Sequence, residues 1–474
     1  MGFPRAQLFE GAQITVRPWL SLSLGHNTID TFCFSKMTQS PILRLFPELI
    51  DRIVDHIADF INSEQSLTAC ALVCRAFHPR SQARLFSSIA FWSDCNPRYR
   101  NRRIKRLEDF LSILDSAPHI PLFVHSISLQ VYVGHQYSTA ENLLFSQLAS
   151  RLKELGCRPR ELRLGSPLGS YAIAHQLPNF YINLIQTLII PSVTSLNIAH
   201  ASIPVTIISS CSHLRSLTVV DRGITTTKNS RVESTDPDIT HSPGPKIESL
   251  EYYQPEWSST NRVLSAVVGN PAILNLSHLR TLRTSVASRN AALLMKIIGL
   301  CANHLEEVHL VPSSRYSSYA LPVPEVHQFD FSNVPRLRAL SLPLVEAYIK
   351  SLHPSSETNE GIWPVLKSLH ATNTLETLNF SSFLAMGDIE DVFSEDQFWI
   401  QLGTELTTLA SGKHMLIGFH LHILSWLSYP DQYDDKVLHS CRHLFKERIG
   451  RLMPECAAMP NITFNVFLYP RGEE

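Results

Sequence analysis

Six of the nine residues from Arg98 to Arg106 are basic: Arg98, Arg100, Arg102, Arg103, Lys105 and Arg106. That density is able to contact phosphates or to serve as a nuclear import signal. We read it as a solvated loop leading into a helix, the commoner use of a charge run. A second group, His420, His422, His439, Cys441 and His443, carries zinc-ligand side chains, and His420-x-His422 would project from one face of a strand. Those spacings match no structural zinc site, so ordinary core and surface histidines are expected and no metal is assigned. There is no phosphate loop, dinucleotide fingerprint, nucleophile elbow or H-E-x-x-H helix. No catalytic residue and no cofactor are therefore expected, although a triad assembled only by the fold would leave no such motif.

The elements that must carry any site belong to a chain of 474 residues, 44% hydrophobic and 18% charged. That length is enough to bury roughly three quarters of the unfolded surface without disulfides or metals. Lys+Arg (41) and Asp+Glu (42) cancel to a net charge of −1, which argues against nucleic acid as a partner. Nine cysteines, an odd number with no CxxC, suit a reducing compartment. No run approaches the roughly 18 apolar residues of a membrane span. The expected locations are cytoplasm and nucleus, without a membrane partner.

Residues 1–36 show no sustained period and no helix caps. Residues 1–40 are expected to be a disordered extension, unless translation starts at Met37. From residue 41 to residue 90 the pattern predicts three short helices. Pro47 suits a first helical position, and Leu49, Ile50, Ile53, Val54, Ile57 and Ile61 follow at helical spacing. Glu48, Asp51, Asp55 and Asp59 fall on the other side, as a solvated face would. Leu67, Cys70, Ala71, Cys74 and Phe77 form the second stripe, which His78-Pro79 ends. Pro79 opens a third helix with Ala83, Leu85, Phe86 and Ile89.

A polar, Arg-rich break over 93–103 precedes a helix from Ile104 to Leu114. After it the chain repeats itself. Ser212-His213-Leu214-Arg215-Ser216-Leu217 matches Ser277-His278-Leu279-Arg280-Thr281-Leu282. The phrases starting at Asn303, Pro335 and Pro364 follow the same scheme, and looser versions start at Val124, Pro159, Val193 and Ile247. The shared flanks carry the signal: a polar or proline lead-in, leucine, then a charged residue, then a small or polar one. Starts recur every roughly 20 to 35 residues, the spacing of leucine-rich arrays. Each unit should be a short strand plus a helix whose stacking buries a common core. Insertions at 221–246, 311–327 and 350–364 are expected as surface loops. A helix near 395–410, a strand near 415–424, a helix at 434–452 and a strand from Ile462 to Leu468 should close the array.

The helical segment resembles the F-box, the three-helix motif that docks a protein onto the Skp-type adaptor of cullin-based ubiquitin ligases. The matching phrases are Leu45-Phe46-Pro47-Glu48-Leu49-Ile50-Asp51-Arg52-Ile53 and Ser66-Leu67-Thr68-Ala69-Cys70-Ala71-Leu72-Val73-Cys74-Arg75-Ala76-Phe77. Phe46 stands where the family usually has Leu, and Phe77 where it often has Trp. Pro118-His119-Ile120 and the strand at Val124–Leu129 resemble the layout of fungal F-box proteins with degenerate leucine-rich repeats. The resemblance implies an α/β chain: a three-helix F-box module at 41–90, then a curved leucine-rich-repeat-like array over 104–380, with 381–474 as its continuation or cap. It implies Pro47, Leu49, Ile53, Leu72, Val73, Cys74 and Phe77 as adaptor-docking residues. It also implies a non-catalytic substrate receptor whose partners are the Skp-type adaptor, a cullin through it, and a target protein. The competing readings are a buried helical cap on the array, an interaction scaffold outside ubiquitin ligation, and a hydrolase or other enzyme in an α/β fold.

Period-two alternation places the third and fifth positions of each L-x-x-L-x-L strand on the outside. These are Ser195 and Asn197, Ser216 and Thr218, Ser249 and Glu251, Thr281 and Arg283, Glu307 and His309, Ala339 and Ser341, Ser368 and His370. Arg283, Glu307 and His309 are the expected target-binding anchors on an otherwise neutral, polar face.

Overall fold

The computed structural model describes residues 46–60, 63–73, 75–91, 100–130, 138–165, 179–199, 203–220, 224–225, 244–253, 268, 270–286, 291–312, 328–344, 362–369, 374–385, 396–424 and 435–470. The expectations for residues 1–40, for Arg98 and for most of the three insertions lie outside them. The chain is mixed α/β and divides into two compact units, Met1–Ile203 and Pro204–Glu474.

The first unit begins with three helices: α1 (Pro47–Ala58), α2 (Ser63–Val73) and α3 (His78–Leu85). Pro47 and Pro79 occupy the first turns of α1 and α3, where a missing N–H costs no hydrogen bond. Ile50, Val54, Leu67 and Ala71 are buried among the three. Asp55 is half-exposed on the expected polar side and ion-paired there. Arg80 donates to both of its carboxylate oxygens, at 2.8 and 2.6 Å, and Arg84 donates at 2.7 Å, tying α1 to α3. These hydrogen bonds, Arg80 first, hold the Asp55 carboxyl well below the usual carboxylate range.

Ile89 is not helical. Helix α3 stops at Leu85, and Ile89 is buried in strand β1 (Ser88–Phe91). The Arg-rich stretch is not a break from Arg100 onward either, since helix α4 runs from Arg100 to Ser116. Arginine and lysine are good helix formers, so a run of charge does not by itself break a helix. Strands β2 (Ser126–Gln130), β3 (Glu161–Gly165) and β4 (Ser195–Ala199) pair in parallel with β1 in chain order. Helix α5 (Thr139–Glu154) starts at a reciprocal cap: Glu141 N–H donates to Ser138 Oγ at 3.2 Å, while Ser138 N–H donates to the Glu141 carboxylate at 2.8 Å. Helix α6 (Asn179–Leu184) brings Phe180 and Tyr181 onto Phe145 at ring distances of 4.7 and 5.4 Å.

In the second unit eight strands of the large sheet lie parallel to their neighbours. The order is β5 (Ser216–Val220), β6 (Ser249–Tyr253), β7 (Thr281–Val286), β8 (Glu307–Pro312), β9 (Ala339–Pro343), β10 (Thr377–Ala385), β11 (Met415–Leu424) and β12 (Ile462–Pro470). Leu217, Leu250, Leu282, Val308, Leu340, Leu378, Ile417 and Phe464 are in register, and all but half-buried Phe464 are buried. Helices α7 (Val205–Ser210), α8 (Ala291–Cys301), α9 (Trp363–Ser368), α10 (Asp396–Leu409), α11 (Asp435–Leu452) and α12 (Pro454–Ala458) lie between strands in sequence. Helices α10 and α11, with the sheet, enclose an aromatic core. Trp399 meets Phe445 at 5.9 Å and Phe419 at 6.0 Å.

One repeat is displaced from its expected place. Pro364-Val365-Leu366-Lys367-Ser368-Leu369 is not a strand but helix α9 and its cap, with Pro364 in the first turn. Ser368 Oγ donates to Val365 O at 2.7 Å and accepts from Phe331 N–H, so it faces no ligand, and His370 lies outside the described residues. The strand of that repeat is β10, led by Leu375-Glu376-Thr377-Leu378-Asn379-Phe380.

The charged residue ahead of each strand links one repeat to the next. Arg215 O accepts from the N–H groups of both Glu248 and Ser249, and Glu248 O from those of Arg280 and Thr281. Arg280, Glu306 and Arg338 continue the series to Glu376 and Thr377. The sign alternates along it, and Arg215–Glu248, Arg280–Glu306 and Arg338–Glu376 stand 3.4, 3.7 and 4.0 Å apart.

Candidate functional site

Two surfaces combine exposure with the residue types picked out in the sequence, one in each unit. The first is the outside of the three helices. Phe46, Leu49 and Ile53 follow one another at helical spacing and are 72%, 43% and 40% exposed, and Leu72 on α2 is 66% exposed. Pro47 is also exposed and Phe77 is half-buried. Burying Ile50, Val54, Leu67 and Ala71 uses the opposite sides of α1 and α2, which leaves this apolar set in water. A stripe of exposed apolar side chains such as Phe46, just before α1, and Leu49 and Ile53 on it marks a docking site more often than a scattered exposed leucine does. Of the expected docking residues, Cys74 and the side chain of Val73 lie outside the described residues.

The second surface is the outer face of the sheet in the second unit. The register brings Thr218, Glu251, Arg283, His309, Ser341, Asn379, Gly418 and Asn465 into one row across eight strands. The three expected anchors are therefore together: Arg283 and His309 are row neighbours, and Glu307 lies two residues before His309 on β8. The row is knitted by hydrogen bonds. Thr218 Oγ1 donates to Glu251 at 3.4 Å, the His309 ring and Ser341 Oγ bond at 2.9 Å, and Asn379 Nδ2 donates to Ser341 Oγ at 3.5 Å. Arg283 lies over the Tyr253 ring, 6.0 Å from its centre, a cation–π geometry.

Glycine at 418 keeps this row intact. A β-carbon there would collide with the Asn379 carboxamide oxygen and crowd His420 Nε2 at 3.2 Å. The absence of a side chain lets Asn379 extend across β11 toward His420, which in turn stacks on Phe467 at 4.7 Å. Ser341 was expected outside, yet it is only 7% exposed, because His309 and Asn379 cover it. Asn379 was missed as a member of this row, and His420 as its neighbour one row on. Asn379 belongs to the displaced repeat, and His420 was read only as a metal ligand type. Of the other four of that group, the side chains of His422, His439 and Cys441 lie outside the described residues, and His443 is exposed on α11. Among the described residues no three His, Cys, Asp or Glu are arranged to hold a metal ion.

Burial lowers the pKa of His309 below the ordinary imidazole value, with Arg283 adding to it, and burial next to His309 lowers that of His420. Both rings are therefore neutral near pH 7, and each pairs one donor with one acceptor. Glu307, His309 and Ser341 have the residue types of a hydrolytic triad, but their arrangement is not one. The Glu307 oxygen is 3.6 Å from His309 Nε2, beyond hydrogen-bonding range. The strand amides that would stabilise an oxyanion are taken up by the parallel ladder. What the row offers is a rigid pattern of donors and acceptors with one guanidinium and two carboxylates.

No protein-family model matches the chain, and no curated protein is similar to it. Among the described residues no helix is long and apolar enough to cross a membrane.

Proposed function

We propose that this chain is the substrate-recognition subunit of an F-box ubiquitin ligase: the three helices dock on a Skp-type adaptor, and a leucine-rich-repeat-like strand face holds a target protein. The observation that carries this reading is the exposure of Phe46, Leu49, Ile53 and Leu72 on helices whose opposite sides are buried. A helical cap on the repeat array would turn those side chains inward. The motif resemblance includes Leu49, Ile53 and Leu72 among its adaptor-docking positions, so it supports the same part of the surface. The Arg283–His309–Ser341–Asn379 row supports the second half of the reading, since it supplies pre-positioned hydrogen-bonding groups without catalytic geometry.

The test is co-purification of the full chain with a Skp-type adaptor and a cullin. Leu49→Asp with Leu72→Asp should abolish adaptor capture while the melting temperature stays within a few degrees, since both side chains are already exposed. Desolvating a carboxylate against an apolar partner surface costs several kcal/mol. Capture of the adaptor by the double variant would remove the F-box reading. Capture of the adaptor without a cullin would instead assign a scaffold outside ubiquitin ligation.

A further inference from the structure

Strand β12 ends the sheet of the second unit, and among the described residues no strand lies on its other side. The direction of its free backbone groups follows from the ladder. Met415 N–H donates to Asn461 O at 2.9 Å, so residues 461, 463, 465 and onward turn their N–H and C=O groups toward β11. Phe464, Val466 and Leu468 turn theirs to the open edge. An edge of this length is usually blunted by a lysine, an internal proline or a bulge. None of these is present from Ile462 to Tyr469: the segment Ile-Thr-Phe-Asn-Val-Phe-Leu-Tyr is uncharged, and Pro470 comes only at its end. Phe464 is half-buried where its register partners on earlier strands are fully buried, so the core side is also incomplete at this edge.

We infer that β12 pairs with β12 of a second copy of this chain, antiparallel about a two-fold axis at Val466. Unpaired backbone N–H and C=O groups call for a strand as occupant. The sequence of β12 is complementary to itself. With the axis at Val466, residue 464 stands opposite 468, 466 opposite 466, and 465 opposite 467. Every outward N–H of these three residues then meets an outward C=O, whereas a centre at 465 would use Ile462, whose N–H already donates to Met459 O. Apolar residue types face apolar ones at 464 and 468, and no like charges meet anywhere along the segment. The contact is isologous and closes at two copies.

The test uses the full chain in sedimentation equilibrium over a hundredfold concentration range. The wild type should reach the mass of two chains at the upper end. Asn465→Lys with Phe467→Lys sets lysine opposite lysine at two places and should sediment as a monomer, as should the matching double glutamate variant. An equimolar mixture of the two should recover the dimer, because each lysine then faces a glutamate. Thr463→Lys with Tyr469→Lys, which also sets lysine opposite lysine at two places and leaves the Phe467 ring on His420, serves if the first pair does not fold, and it too should be monomeric. A wild type that stays monomeric throughout, including because another part of the chain covers the edge, overturns the inference. A lysine variant that still dimerises overturns it equally.

Discussion

Cys157, Cys211, Cys301 and Cys456 are all buried, and each sits where a small apolar side chain would serve as well. Cys211 and Cys301 donate their thiols to the carbonyls of Ile207 and Ile297, at 3.2 and 3.1 Å, one helical turn earlier. Burial pushes the thiols of Cys157, Cys211 and Cys301 up to about 12 and that of Cys456 up to about 11. A thiolate is the reactive form, so these four should be inert in the folded chain. Iodoacetamide at pH 8 followed by peptide mapping should leave all four unmodified in native protein and label them in urea. Labelling of Cys211 or Cys301 at a similar rate in both conditions would contradict the packing described.

The repeats are registered by their charged lead-in residues as much as by their leucines. Arg280 stands between Glu248 and Glu306, with its guanidinium 3.7 Å from Glu306. Arg280→Glu would set three carboxylates side by side along the ladder. Exposed pairs are worth about 0–1 kcal/mol each, and like charges on adjacent strands cost a similar amount. The variant should therefore lose about 1 kcal/mol in urea unfolding at low salt, and roughly 0.5 M NaCl should restore most of it by screening. A loss that salt leaves unchanged would point to packing instead of charge. This ladder also explains what could be read from the sequence. Leu214-Arg215-Ser216 and its counterparts stood out because leucine, charge and small residue each have a separate task. The same phrase misled at Pro364–Leu369, where a proline in the first turn favours a helix, while Leu375-Glu376-Thr377 carried the strand. The outer positions of Arg283, Glu307 and His309 followed from alternation alone. Asn379 and His420 did not, because their closeness depends on the register of β10 and β11 and on the missing side chain of Gly418, neither of which leaves a local signal.

Across the whole chain the charges nearly cancel, and the outer sheet face of the second unit repeats that balance locally. Glu251 and Glu307 oppose Arg283, and burial keeps His309 and His420 neutral near pH 7. Binding to a nucleic-acid backbone draws its strength from releasing counterions and weakens by a power of the salt concentration that grows with each phosphate contacted. A face with one guanidinium and two carboxylates can contact few phosphates. The basic stretch from Arg98 to Arg106 is the one segment that could supply more, and from Arg100 onward it is the first turns of helix α4. We expect the full chain to show no tight, steeply salt-dependent binding to a fluorescent single-stranded RNA or DNA between roughly 50 and 200 mM salt, whereas a phosphate-binding protein would lose about a thousandfold in affinity or more over that range. Recognition on this face should respond instead to the loss of particular hydrogen bonds. Tight binding that collapses with salt, and survives neutralisation of Arg283 but not of the basic stretch, would move the functional surface from the sheet to the start of α4.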